Sequence, residues 1–249
     1  MLFKEFGEPG LPVAVFLHGG GLSWWSLKGV IDALEKHYHI IAPIIDGHGE
    51  DGNTPFLSME DSASKLIHSI DTRWGGSVQL LAGLSIGAQI VVKALTMRAH
   101  ITRFAVIESG LVYPLKSGVR MAAPLYKLMY GLIRQKGFSR LQAKTLSLPE
   151  SLYDSYYEDS LRMSRESLIN MTVSNSSLQL EEDLKATTAK VLLLVGSKEL
   201  GIMIKSARRL KELLPQSRLE ILPGLKHGEL SIKYPLKYAA MIKEFTGDF

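Results

Sequence analysis

The sequence predicts an α/β fold, a mostly parallel sheet of about six strands with helices on both faces and one helical insertion. Three observations carry this. Short, continuously apolar runs recur along the chain and end in glycines or polar turns, the pattern of strands buried on both faces. Segments of helical spacing alternate with those runs, which implies βαβ units with right-handed crossovers. Residues 111–185 then break the alternation over a stretch far longer than an ordinary connection.

The elements follow in order. PVAVFLHGG at 12–20 reads as a buried strand closing on glycines, and IDALEKHY at 31–38 as the end of a helix. HIIAPIIDGHG at 39–49 is a second buried strand with a Gly-rich turn. Residues 58–74 have helical spacing and open on Ser58 with Glu60 and Asp61 behind it, a helix start. VQLLAGL at 78–84 is a third strand, followed at once by the helix IGAQIVVKALTMR. RFAVIES at 103–109, KVLLLVG at 190–196 and RLEILPG at 218–224 complete six strands, with helices expected over 203–214 and 231–245. Between residues 111 and 185 no convincing strand occurs. Two helical stretches rich in Tyr, Met, Leu and Ser, 123–138 and 148–175, predict a helical cap over the C-terminal edge of the sheet. The expected division is therefore a core of 1–110 and 186–249 with a cap at 111–185.

Composition bounds the function. The 249 residues carry a formal charge of +4, too mild for a nucleic-acid partner, and the clusters around Arg134, Lys136 and Arg140 and around Arg208, Arg209 and Lys211 read as solvated helix faces. There is no cysteine, which excludes disulfides, thiolate metal sites and a cysteine nucleophile and suits a reducing compartment. MLFKEFGEPG has no apolar signal core, and no apolar run approaches a membrane span. The expectation is a cytoplasmic protein with a small-molecule substrate, no membrane partner and an open oligomeric state.

Gly83-Leu84-Ser85-Ile86-Gly87 is G-x-S-x-G, a weak signal by spacing alone. Its setting strengthens it, because Ser85 directly follows a buried strand and directly precedes a helix, as a nucleophile elbow requires. The Ile86 amide would then sit at a helix N-terminus, where negative charge is favoured. LHGGG at 17–21 offers a second oxyanion donor, with Gly20 preferred over Gly21. A serine needs a base, and His227, in the loop after the last strand, is the best placed of seven histidines. His18 and His48 read as loop anchors, and His37 and His39 lack a third metal ligand of suitable spacing. Glu199, in the loop after the fifth parallel strand, is the candidate orienting carboxylate, and Glu108 at the end of the fourth strand is its rival. Trp24 and Trp25, beside the glycines, are candidates for a pocket wall, with plain core packing expected for one of the two, and Trp24, with Tyr126, Met129 and Met163 in the insertion, is a candidate substrate-binding residue.

Taken with their order Ser85, Glu199, His227, these motifs resemble the α/β-hydrolase superfamily in its single-domain form with a helical cap. His18-Gly19-Gly20 is similar to the oxyanion loop of that family, Asp46-Gly47-His48-Gly49 to a structural turn, Gly196 to Glu199 to its acid loop and Pro223-Gly224 to His227 to its histidine loop. The resemblance implies a serine hydrolase with no cofactor and no metal, acting on a small ester or related acyl substrate. It leaves open a carbon–carbon bond hydrolase, a lactonase, a cofactor-free haloperoxidase or a slow-turnover ligand-binding signalling protein of the same fold. Two departures stand out. The acid is Glu where the family mostly has Asp, and only LFKEF precedes the first predicted strand, room for one antiparallel edge strand.

Overall fold

The computed structural model describes residues 1–247. The strands are β1 (Leu2–Phe6), β2 (Val13–Leu17), β3 (His39–Ile44), β4 (Val78–Leu84), β5 (Thr102–Glu108), β6 (Lys190–Gly196) and β7 (Arg218–Leu222). They form one seven-stranded sheet in the order β1-β3-β2-β4-β5-β6-β7. All neighbours are parallel except β1, which runs antiparallel along β3 as the expected edge strand.

Six helices pack on the sheet: α1 (Lys28–Leu34), α2 (Met59–Arg73), α3 (Ile86–Met97) and, beyond the insertion, α8 (Gly201–Leu213), α9 (Glu229–Lys233) and α10 (Pro235–Thr246). The insertion supplies α4 (Lys116–Ile133), α5 (Lys136–Thr145), α6 (Tyr153–Arg162) and α7 (Arg165–Ser177). Period-two alternation of the strands divides the core in two. Val15, Ile41, Leu81, Ala105 and Leu193 meet α2, α3 and α8. Their neighbours Ala14, Ile40, Leu80, Phe104 and Leu192 meet α1 and α10 on the other face. Helix α3 is apolar almost all round and is buried accordingly.

The strands end earlier than the apolar runs suggest. β2 stops at Leu17, β3 at Ile44 and β7 at Leu222, and the glycines beyond them belong to loops. Residues 231–245 are two helices rather than one. Pro235 disfavours helical backbone at Tyr234, which takes φ −122° and ψ 50°, and then opens α10 at its first turn.

The insertion is tied to the core by polar bonds from α7 and by an apolar cluster that Ala143, Tyr153 and Tyr156 form with Leu22, Leu84 and Ile232. Ser167 Oγ accepts from the Phe56 amide (3.1 Å), Ser174 Oγ from the Met59 amide (2.9 Å), and Asn170 donates to the Phe56 carbonyl (3.0 Å). Helix α4 lies on α7. Among the described residues no helix is long and apolar enough to cross a membrane.

Candidate active site

The C-terminal ends of the strands are level, since Leu17 pairs with Gly83, Leu84 with Glu108, Glu108 with Leu194 and Gly196 with Leu222. The loops that leave these ends therefore converge, and they carry Gly20, Ser85, Ser109, Glu199 and His227.

Ser85 lies at the turn from β4 to α3 with φ 56° and ψ −111°, backbone that a residue with a side chain rarely adopts. Its amide donates to the Glu108 carbonyl at 2.9 Å, which holds the turn. The glycines on either side are required by contact. A Cβ on Gly83 would lie 2.4 Å from the Gly87 carbonyl, and one on Gly87 would lie 2.5 Å from the Leu17 carbonyl. Any side chain at either position would push strand, turn and helix apart.

The His227 ring links Ser85 to Glu199. Nε2 lies 2.9 Å from Ser85 Oγ, and Nδ1 lies 2.7 Å from Glu199 Oε2. The histidine is 42% exposed and the carboxyl fully covered, so the ring has one face toward an opening while its anchor is dry. Glu199 Oε1 accepts from Ser109 Oγ and from the Gly196 amide, both at 2.7 Å. With three partners around it the carboxylate is held in one orientation. Because Glu is a methylene longer than Asp, folding back onto the amide of Gly196 takes up the extra length. The acid and histidine loops also clasp each other: the Lys198 amide donates to the Leu225 carbonyl and the Gly224 amide to Ser197 Oγ, each at 2.9 Å.

Ser109 is the residue that sequence reasoning missed. It has φ 55° and sits one position past β5, between the rival acid Glu108 and Gly110. A serine at a strand's C-terminal end beside other candidates was the available signal. Glu108 itself is fully buried one strand away. Its Oε1 accepts from the Ser231 amide at 3.3 Å and its Oε2 has no partner. Burial pushes its carboxyl up to about 7.

Ile86, the first residue of α3, presents an amide with no partner within the helix. Gly20 faces it, as a Cβ on Gly20 would lie 3.5 Å from the Ile86 side chain. The loop carrying Gly20 is braced by His18, whose Nδ1–H donates to the Gly19 carbonyl (2.9 Å) while Nε2 accepts from the Ile45 amide (3.1 Å). Those bonds need the neutral ring. Burial, and after it the nearby His48 ring, pushes His18 down to about 3.

Two cavities meet here. One of about 30 Å³ lies over Ser85 and His227, floored by Leu84 and Gly228. The other, about 190 Å³, lies beneath the insertion and is lined by Tyr126, Ile133, Tyr156, Met163 and Met171. Gly20 and Leu146 line both. Tyr126 and Met163 thus face the larger cavity, whereas Met129 is half-buried on α4 and lines neither. Trp24 requires a correction. A helical turn over Trp24–Leu27 aims its ring back at the sheet edge, against Phe6 at 5.4 Å and beneath the Lys4 ammonium. It is Trp25 that faces the insertion, donating to Asp159 at 2.7 Å. Among the described residues no cluster of His, Asp and Glu could hold a metal ion.

A family model described as the alpha/beta hydrolase family matches residues 14–240. An AB hydrolase superfamily protein of Gibberella zeae is 26% identical over 140 residues, 56% of this chain and 49% of that protein, so the match spans about half of the relative's length. Among solved structures, one from work on carboxylesterases of the thaumarchaeon Nitrososphaera gargenis superposes with a TM-score of 0.81 at 18% identity, covering 99% of this chain and 93% of the other. The enol-lactonase of Burkholderia xenovorans LB400 superposes with a TM-score of 0.82 at 14% identity, covering 99% and 96%.

Proposed function

This chain belongs to the alpha/beta hydrolase family, and from that premise we propose that it is a serine hydrolase of small esters or related acyl compounds. The observation that carries the reading is the His227 ring hydrogen-bonded at once to Ser85 Oγ and to the Glu199 carboxylate.

In this mechanism Ser85 Oγ adds to the acyl carbon while His227 Nε2 takes its proton. Glu199 holds the ring by Nδ1 and stabilises the imidazolium. The carbonyl oxygen becomes an oxyanion facing the amides of Ile86 and Gly20, and loss of one such donor typically costs about 3 kcal/mol of barrier. The tetrahedral adduct collapses, the bond to the leaving oxygen breaks, and His227 returns the proton to the departing alcohol. Water then gives a proton to His227 and adds to the acyl-enzyme, and as the second adduct collapses the bond to Ser85 Oγ breaks, His227 returns the proton to that oxygen, and the acid is freed.

The cavities suggest which groups fit. About 30 Å³ over Ser85 holds little beyond the reacting carbonyl, so the remaining bulk of the substrate belongs in the larger apolar cavity. Residues 111–185 act in this reading as a cap that selects the substrate, with the core supplying the chemistry.

A fluorophosphonate probe tests the assignment. One label is expected, at Ser85, with turnover of short p-nitrophenyl esters by the same protein. Labelling that persists unchanged in Ser85→Ala would overturn the reading.

A further inference from the structure

Helix α4 presents two different faces. Ala122 and Ile133 are buried, and Tyr126 and Ile133 line the larger cavity. Met121, Leu125, Leu128 and Leu132, spaced four, three and four residues apart, form a second apolar stripe that faces solvent. Leu128 is 84% exposed, which no core role explains. At about 1.5 Å per residue the stripe runs for roughly 16 Å.

The charge around it is one-sided. From Ser109 to Pro149 the chain has no Asp or Glu, while Lys116, Arg120, Lys127, Arg134, Lys136, Arg140 and Lys144 supply seven cations. This stretch alone carries +7, against +4 for the whole chain. All seven side chains belong to exposed residues. Arg120 and Lys127 on α4 and Arg134 at its C-cap follow one another at a spacing of seven, along a flank of the apolar stripe.

We propose that the outer face of α4 is a docking surface for an anionic lipid bilayer. A helix with exposed Leu and Met beside a row of Lys and Arg lies in the plane of an interface, its apolar side chains among acyl chains and its cations at the headgroups. A second copy of the chain fits less well, because two such faces would bring like charges together with no carboxylate to pair them. Nucleic acid would leave the leucines in water. The plainer expectation, a solvated face without a membrane partner, accounts for the cations but not for Leu128. Docking there would set the cavity lined by Tyr126 directly behind the helix that touches the bilayer.

The surface does not depend on the hydrolase reading, so Ser85→Ala protein should bind as the wild type does. The experiment is sedimentation with phosphatidylcholine vesicles, with and without phosphatidylglycerol. Binding to the anionic vesicles only, weakened by salt, is expected. Arg120→Gln with Lys127→Gln should weaken it roughly thirtyfold. Leu125→Ser with Leu128→Ser should weaken it on the order of a hundredfold, with Tm and fluorophosphonate labelling unchanged. Absence of binding, equal binding to neutral vesicles, or a dimer in solution that Leu128→Ser dissociates would overturn the proposal.

Discussion

Glu199, in the loop after β6, and Glu108, at the end of the adjacent β5, are buried carboxyls with opposite surroundings. Glu199 collects donors from His227, Ser109 and Gly196, whereas Glu108 has one bond of 3.3 Å and an oxygen without a partner. A carboxyl so unequally served can orient a histidine in only one of the two places. Glu199→Gln should lower kcat by about 10⁴, the scale of a triad acid lost with geometry intact. Glu108→Gln should stay within tenfold, and the reverse ranking in steady-state kinetics would move the acid to β5. Ser109→Ala removes one charge-assisted bond to the acid, so a drop in kcat of roughly tenfold with KM unchanged is expected. Ser85 and Ser109 share a feature that the letters do not display: both take positive φ, imposed by the turns that leave neighbouring strands.

At the scale of elements, the insertion is held by polar bonds from α7 and by an apolar cluster in which Ala143, Tyr153 and Tyr156 meet Leu22, Leu84 and Ile232. Helix α7 meets the core through Ser167, Asn170 and Ser174, small or polar side chains that let it approach closely. Helix α4 rides on α7, further from the sheet. Amides of α4 should therefore exchange with deuterium faster than those of the buried α3, with the difference measured by native-state hydrogen exchange. Tyr126 and Met163 line the cavity beneath these helices, so Tyr126→Ala and Met163→Ala should shift preference along a series of p-nitrophenyl esters of rising acyl length. A small phosphonate should still inactivate both variants at the wild-type rate. A flat length profile with uniformly slowed inactivation would mean that the insertion does not select.

For the molecule as a whole, buried titratable groups set a pH profile of stability. His18 keeps a neutral ring in the fold down to about pH 3, whereas unfolded histidine takes up its proton near 6.5. The unfolded state binds the extra proton in that window, so stability is full above 6.5 and is lost as pH falls toward 3. Burial lowers His48 in the same direction. Glu108 works the other way. Its unfolded carboxyl ionises near 4.5 and its folded one near 7, so its penalty is absent below 4.5 and complete above 7. Chemical denaturation from pH 4 to 8 should show Glu108→Gln gaining stability toward the alkaline end, by roughly 3 kcal/mol.

The six parallel strands were legible in the sequence as short apolar runs, most plainly VQLLAGL and KVLLLVG, which the fold buries almost throughout. That Ser85, Glu199 and His227 would come together was legible because each follows such a run, and strand ends converge in a parallel sheet. The ring of Trp24 was not, since one turn of helix decides whether it or Trp25 meets the insertion. Nor was the second face of α4, because periodicity marks an apolar stripe without saying what covers it.

The sheet order also imposes a schedule. Ser85 leaves β4, but its partners leave β6 and β7, and β6 adds to β5 only after everything from Glu108 to Lys190 has been bridged. Pairing of β2 with β4 already closes a long loop over residues 18–77, and closure entropy grows only slowly with length, so the schedule comes from the order of synthesis. During synthesis the turn at Ser85 can thus form before Glu199 and His227 have joined it. In the proposed mechanism the nucleophile is made early and armed last, so a chain caught half-finished carries only an ordinary alcohol.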